Sequence, residues 1–225
     1  KEAVIKQVNL NIAAGEKIAI VGKIASGKTS LLRIITGLYD PSEGSVKIDK
    51  SDITHMHPDD IRNHIGVVMQ IPMLFSGTLK ENLLMGNPNA TDKEMIAAAK
   101  LANVDEIASS LSDGYDTVLA EGGKELSGGQ RQAICIARAF VGDPKNIIMD
   151  EPSSAMDSCS EQQLLEKLKD RLVNKTLILI THRGTLLSLV SRVVAFDNGR
   201  IVADGPKEKV LQAATKQPPQ KPQEE

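Results

Sequence analysis

Short apolar runs alternate with helix-period stretches along most of the chain. Lys17–Val21 (KIAIV) is an apolar run that halts at a glycine loop, which suits a strand buried on both faces. Lys28–Ile35 follows with Leu31, Leu32, Ile34 and Ile35 at helical spacing, and Gly37 is its stop signal. Residues 40–70 carry the turn pairs Asp40-Pro41 and Glu43-Gly44 and short alternating runs such as 45–48, so a small antiparallel sheet is expected at an edge. Residues 73–143 read as mostly helical. Thr91 and Glu94 make a capping box ahead of 95–101, and 131–141 repeats apolar residues at helical spacing. Strand-like runs return at 146–149, 177–180 and 193–196. Between the first two, 161–172 is amphipathic through Leu164, Leu165, Leu168 and Leu172. Asp197-Asn198-Gly199 predicts a hairpin turn into a strand over 201–203.

This alternation predicts an α/β fold: a mostly parallel sheet with helices on both faces, a small antiparallel β edge and an inserted helical segment. A chain of 225 residues is long enough for one domain with such a lobe and a sizeable core. Residues 216–225 (KQPPQKPQEE) have almost nothing to bury and are expected to be disordered. A net charge of -2 argues against a basic nucleic-acid footprint, so no nucleic-acid partner is expected. Cys135 and Cys159 lack any CxxC or Cys/His neighbour and read as reduced thiols, Cys135 buried on a helix. No apolar run approaches the ~20 residues that span a bilayer. The first residues do not read as a signal peptide, and the sequence opens on Lys1 rather than Met. The expectation is a fragment, soluble when isolated, whose membrane part lies elsewhere.

The candidate chemistry begins at Gly22-Lys23-Ile24-Ala25-Ser26-Gly27-Lys28-Thr29, a loop of the form G-x-x-x-x-G-K-[ST] set between a strand and a helix. Gly22 and Gly27 let the backbone bend around phosphates while successive amides and the helix N-terminus point at them. Lys28 is placed to reach β- and γ-phosphates, and the Thr29 hydroxyl to ligate Mg²⁺. The Lys23 side chain reads as a solvated charge. Farther on, Asp150-Glu151-Pro152 closes an apolar run; Asp150 at the end of a buried strand can hold Mg²⁺, and Glu151 can act as general base. Leu126-Ser127-Gly128-Gly129-Gln130 is a second anion site in the making. Ser127 can cap a helix beginning near Gly129, and the two glycines leave bare amides at its positive end.

Taken together, these stretches resemble the nucleotide-binding domain of an ATP-binding cassette (ABC) transporter, over residues 1–215. The resemblance implies an ATP-binding core over 1–72 and 144–215, a helical signature subdomain over 73–143, and Mg²⁺-ATP as the ligand. It implies further roles by position. Gln70 would sense Mg²⁺ and the attacking water, Asp157 would end a loop on a dimer seam, and His182 would contact the γ-phosphate. His55, His57 and His64 read as surface or packing residues. Leu126, Ser127, Gly128, Gly129 and Gln130 would cap the ATP of a second copy, so catalysis is expected to need a homodimer. The related proteins usually have glycine where this chain has Ala25, and a methyl group fits there if φ stays negative.

Within that family, 117–123 is similar to a loop found in exporters, as is 75–82. The segments 181–187 and 203–207 look most like bacterial type I secretion ATPases. That likeness implies protein export from the cytoplasmic face of the inner membrane, a membrane-spanning domain fused upstream, and through it a periplasmic adaptor and outer-membrane channel. Another kind of exporter, for peptides, lipids or drugs, is the alternative, as is a weakly catalytic dimerisation module. An aromatic residue that would stack on adenine is missing from residues 1–21, and the expectation is that it precedes Lys1. DNA-repair relatives would insert long coiled coils, and no sustained heptads are present.

Overall fold

A computed structural model describes residues 3–216. The chain runs through β1 (Lys17–Val21), α1 (Lys28–Ile35), the short pair β2 (Lys47–Ile48) and β3 (Ser51–Asp52), α2 (Pro58–His64) and β4 (Ile65–Val68). A helical stretch follows: β5 (Gly77–Thr78), α3 (Leu79–Leu84), α4 (Asp92–Leu101), α5 (Val104–Ser110), β6 (Val118–Leu119) and α6 (Gly128–Phe140). The last part holds β7 (Asn146–Asp150), α7 (Ser158–Arg171), β8 (Thr176–Ile180), β9 (Arg192–Asp197), β10 (Arg200–Pro206) and α8 (Lys207–Lys216).

Six strands form the central sheet in the order β10-β9-β1-β8-β7-β4. All neighbours pair parallel except the β9–β10 hairpin. Its turn has Asn198 at φ 48 and Gly199 at φ 78, the two positive values that a two-residue hairpin turn requires. Alternate residues feed two cores, as a twofold side-chain period dictates. Ile18 and Ile20 meet Leu31 and Leu32 of α1 on one face, while Ala19, Met149 and Leu179 face the layer that contains α6 and α7. Helix α1 ends where the stop signal stood: Gly37 sits at φ 70 and its amide donates to Ile34 O at 3.1 Å.

The small antiparallel edge expected within 40–70 is present as the two-residue strands β2 and β3, while the elements around it need correction. The run Ile65–Val68 instead joins the parallel sheet beside β7, because both its faces are covered. Its Gly66 shows how tightly: a Cβ there would stand 2.0 Å from the carbonyl oxygen of Ala139, so only glycine lets α6 lie against β4. Helix α2 was invisible because PDDIRNH has no apolar period; Pro58 at its first position and the His57 side chain, accepting from the Asp59 amide, start it locally. Helix α8, held to the sheet by Val210, takes in Lys216, the first residue of the stretch expected to be disordered; 217–225 lie outside the described residues.

The helical stretch is pinned by capping boxes at Thr78/Glu81 and Thr91/Glu94, the second as the sequence predicts. The β5–β6 ladder pairs Gly77 with Leu119. Arg138 of α6 reaches across to α3, donating to Asn82 O at 2.7 Å and Asn82 Oδ1 at 3.0 Å.

Candidate active site

Register decides which residues meet. Ile20 and Asp150 both pair with Ile180, and Val68 pairs with Met149. Gly22, Gln70, Glu151 and His182 therefore leave the sheet at one edge, the carboxyl ends of its parallel strands, where open α/β sheets bind ligands.

The loop from Gly22 to Thr29 closes on its own lysine. Lys28 Nζ donates to Gly22 O (2.8 Å), Lys23 O (2.7 Å) and Ser26 Oγ (3.4 Å). Lys28 is buried, and every one of these acceptors is neutral. Burial lowers its pKa, opposed by the carboxylates of Asp150 and Glu151. An ammonium ion held this way has spare attraction for an anion. Gly27, at φ 103, precedes α1 without a side-chain cap, leaving first-turn amides for the same anion. Gly22 is irreplaceable on steric grounds, since a Cβ would stand 2.0 Å from Phe196 O. Lys23 and Ile24 are exposed, which suits the reading of Lys23 as a solvated charge. These features fit a polyphosphate.

Ala25 overturns an expectation. It stands at φ 62, in the left-handed region, rather than at the negative φ that its methyl group prefers. The loop geometry wins over the residue, at a cost of about 1–2 kcal/mol.

Thr29 Oγ1 donates to Asp150 Oδ2 at 2.7 Å, joining α1 to the end of β7. Burial raises the pKa of Asp150, with the Thr29 hydrogen bond and Lys28 pulling the other way. Two adjacent oxygens facing a phosphate loop fit Mg²⁺, which is commonly held by one or two protein groups plus phosphates. Among the described residues no cluster of three or more His, Cys, Asp or Glu could hold a metal unaided.

Glu151 is held at φ 48, its amide donating to Ile180 O at 2.9 Å. Its Oε1 is buried without a hydrogen-bond partner, and His182 Nε2 stands 3.5 Å away. Burial raises its pKa as well, against the pull of His182. A buried acceptor with no donor can receive a water, the first requirement of a general base. Gln70 is exposed in a bend after β4, level with Glu151 but not bonded to Lys28, Thr29 or Asp150.

The Leu126–Gln130 segment lies elsewhere. Ser127 Oγ accepts from the Gln130 amide (3.2 Å) and Gln130 Oε1 accepts from the Ser127 amide (2.8 Å), so both side chains serve the helix start. Leu126 is buried as an anchor, and Arg131 Nη1 donates to its carbonyl at 2.6 Å. Gly128 and Gly129 lie against Ala155, where a Cβ on Gly129 would be 3.2 Å from Ala155 O. Helix α6 meets β4 at its far end, Ala139 over Gly66, while its first residues border the 153–157 loop. Asp157 is engaged in its own helix: Oδ1 accepts from the amides of Cys159 and Ser160, both at 2.9 Å.

Sequence reasoning missed Ser153, Glu161 and Arg183. Glu161 Oε2 accepts from Ser153 Oγ at 2.6 Å and from Arg183 Nη1 at 2.7 Å. A signal existed: Glu161 occupies the place of an apolar residue in the stripe Leu164, Leu165, Leu168.

The sequence profile of the ABC transporter family matches residues 5–154. A putative multidrug export ATP-binding/permease protein of Staphylococcus aureus is 40% identical over 202 residues, covering 90% of this chain and 35% of that protein. A multidrug efflux ATP-binding/permease protein of Mycobacterium bovis is 38% identical over 207 residues, covering 92% of this chain and 17% of that one. The structure of a bacterial Atm1-family ABC exporter with ATP bound superposes with a TM-score of 0.87 at 33% identity, over 93% of this chain and 37% of its own. The chain thus spans about a third or less of the relatives it matches. Sequence profile, sheet order and phosphate cradle agree: the chain belongs to the ABC transporter family, as one of its ATP-binding domains.

Proposed function

We propose that the chain is the ATP-hydrolysing motor of an exporter and works as a pair. The observation that carries this reading is that two anion-seeking sites stand apart in one chain. The cradle around Lys28 closes on its own loop and on Asp150, while the bare amides of Gly128 and Gly129 open a helix beside Ala155, with no hydrogen bond between the two among the described residues. A γ-phosphate gripped by the first can be capped by the second only when a partner copy supplies it. Glu151 then takes a proton from the attacking water, His182 faces the same phosphate, and Lys28 offsets its charge. Gln70 lies level with that water's position, and Asp157 borders the seam. Mg²⁺ held by Thr29 and Asp150 would neutralise phosphate charge.

The relatives favour one kind of exporter. Both the S. aureus and the M. bovis proteins are named for multidrug export or efflux and for a permease on the same chain. A drug-type exporter with a fused membrane part is therefore the preferred reading over type I protein secretion, whose adaptor and outer-membrane channel have no support among them. Among the described residues no helix is long and apolar enough to cross a membrane, so the permease supplies membrane attachment.

The test is Mg²⁺-dependent ATP hydrolysis measured against protein concentration. The expected result is a specific activity that rises with concentration, as a two-copy site demands. No turnover at any concentration would leave a nucleotide-binding dimerisation module and overturn the motor.

A further inference from the structure

We infer that Glu161 is a positioning residue for ATP hydrolysis, its buried carboxylate clamping together the two loops that carry Glu151 and His182. The inference rests on the roles proposed above for those two residues. Ser153 lies two residues beyond Glu151 and is 1% exposed. Arg183 follows His182 directly. Both donate to the same oxygen, Glu161 Oε2, at 2.6 and 2.7 Å. Thr185, on the histidine loop, adds a hydroxyl donor to the same carboxylate. Arg183 also sends Nη2 toward Met156 O at 3.4 Å, which brings the 153–157 loop into the same unit.

Stability does not account for a charge at this place. A carboxylate buried on the apolar stripe of α7 has a desolvation penalty that pairing roughly offsets, whereas a leucine there would continue the stripe of Leu164, Leu165 and Leu168 without one. Geometry does account for it. The two side chains do not hydrogen-bond to each other: His182 Nε2 stands 3.5 Å from Glu151 Oε1, and that oxygen has no partner. The His182 amide donates to the Glu151 carboxylate, and behind that contact the two loops are held at their spacing by the Glu151 amide on Ile180 O at 2.9 Å and by the Glu161 clamp. A displacement of about 1 Å at a reacting group lowers rate as much as ~100-fold, so loosening the clamp slows chemistry while the phosphate cradle stays intact.

The experiment uses the 225-residue chain, with Glu161→Gln, Arg183→Met, their double variant and Ser153→Ala in case either charge variant folds poorly. Steady-state ATP hydrolysis and amide hydrogen exchange are read on the same samples. For Glu161→Gln the expected kcat is lower by about 10- to 100-fold with KM for ATP within about twofold, since an interaction made only at the reacting centre is lost. The double variant should be no slower than the worse single variant, because one clamp fails once. Exchange should quicken in 153–157 and 182–185 together and stay unchanged in 22–29. Wild-type kcat in Glu161→Gln or Ser153→Ala, or additive losses in the double variant, would overturn the clamp and leave the ATPase reading standing. An inactive parent protein would overturn the ATPase reading instead, and exchange alone would then decide: unchanged protection of 182–185 in Glu161→Gln refutes the clamp.

Discussion

Replacing Ala25 by glycine tests how rigidly the phosphate loop is formed before nucleotide arrives. Ala25 stands at φ 62, a conformation that costs an L-residue about 1–2 kcal/mol. Glycine removes that strain but loses about 0.4–1 kcal/mol through the freer unfolded chain. The Ala25 side chain is exposed, so no packing term enters. The net expectation is a gain of about 0.8 kcal/mol, or ~2–3 °C in Tm for a domain of this size. The effect on affinity separates two mechanisms. If the free loop already holds the left-handed turn, the strain is present with and without ATP, and affinity changes by less than about threefold. If Ala25 were at negative φ in the free protein and flipped on binding, Ala25→Gly would tighten ATP binding by about 5- to 30-fold and leave Tm unchanged or lower. Differential scanning fluorimetry and isothermal titration with ATP read both quantities. Tight binding gained without thermal stabilisation would refute the preformed loop.

Other expectations follow from the same geometry. Gly22→Ala places a Cβ 2.0 Å from Phe196 O, so the loop and β9 must separate; Tm should fall by an amount corresponding to ~1–3 kcal/mol and ATP binding should be lost, and a variant that binds ATP normally would contradict the close approach. Glu151 has a pKa raised by burial, so hydrolysis should fail as pH drops through a midpoint above the ordinary glutamate value, a limb visible in a kcat profile. The linkage sign gives one more outcome for Asp150, whose folded pKa is also raised. Its ionisation costs stability as pH rises through that pKa, so Asp150→Asn should raise Tm at pH 7 and lose the gain below the ordinary carboxylate range.

Much of this site was legible because its residues are close in sequence to the turns that position them. The strand ending at Val21, the glycines at 22 and 27 and the apolar period after Lys28 define a strand–loop–helix without reference to the rest of the chain. The Thr91/Glu94 box and the Asn198-Gly199 turn were readable for the same reason. What escaped depends on contacts distant in sequence. The run 65–68 is four residues long and fits an edge hairpin or a buried strand equally well; only its neighbour β7 and the carbonyl of Ala139 over Gly66 decide. The conformation of Ala25 follows from how the loop closes on Lys28, not from alanine. Ser127 caps α6 as its sequence position predicts, but its reciprocal partner Gln130 is seen only in the structure. Glu161 begins the amphipathic run 161–172 and shares the inward face of its leucines, and its partners Ser153 and Arg183 lie 8 and 22 residues away.

The central claim, that a phosphate gripped by one copy is capped by another, is tested most directly with Glu151→Gln and saturating Mg²⁺-ATP. That variant keeps the cradle and the capping helix while removing the base. Light scattering after size-exclusion chromatography should give twice the monomer mass with ATP and the monomer mass with ADP. A variant that binds ATP and stays monomeric at every protein concentration would contradict the two-copy site.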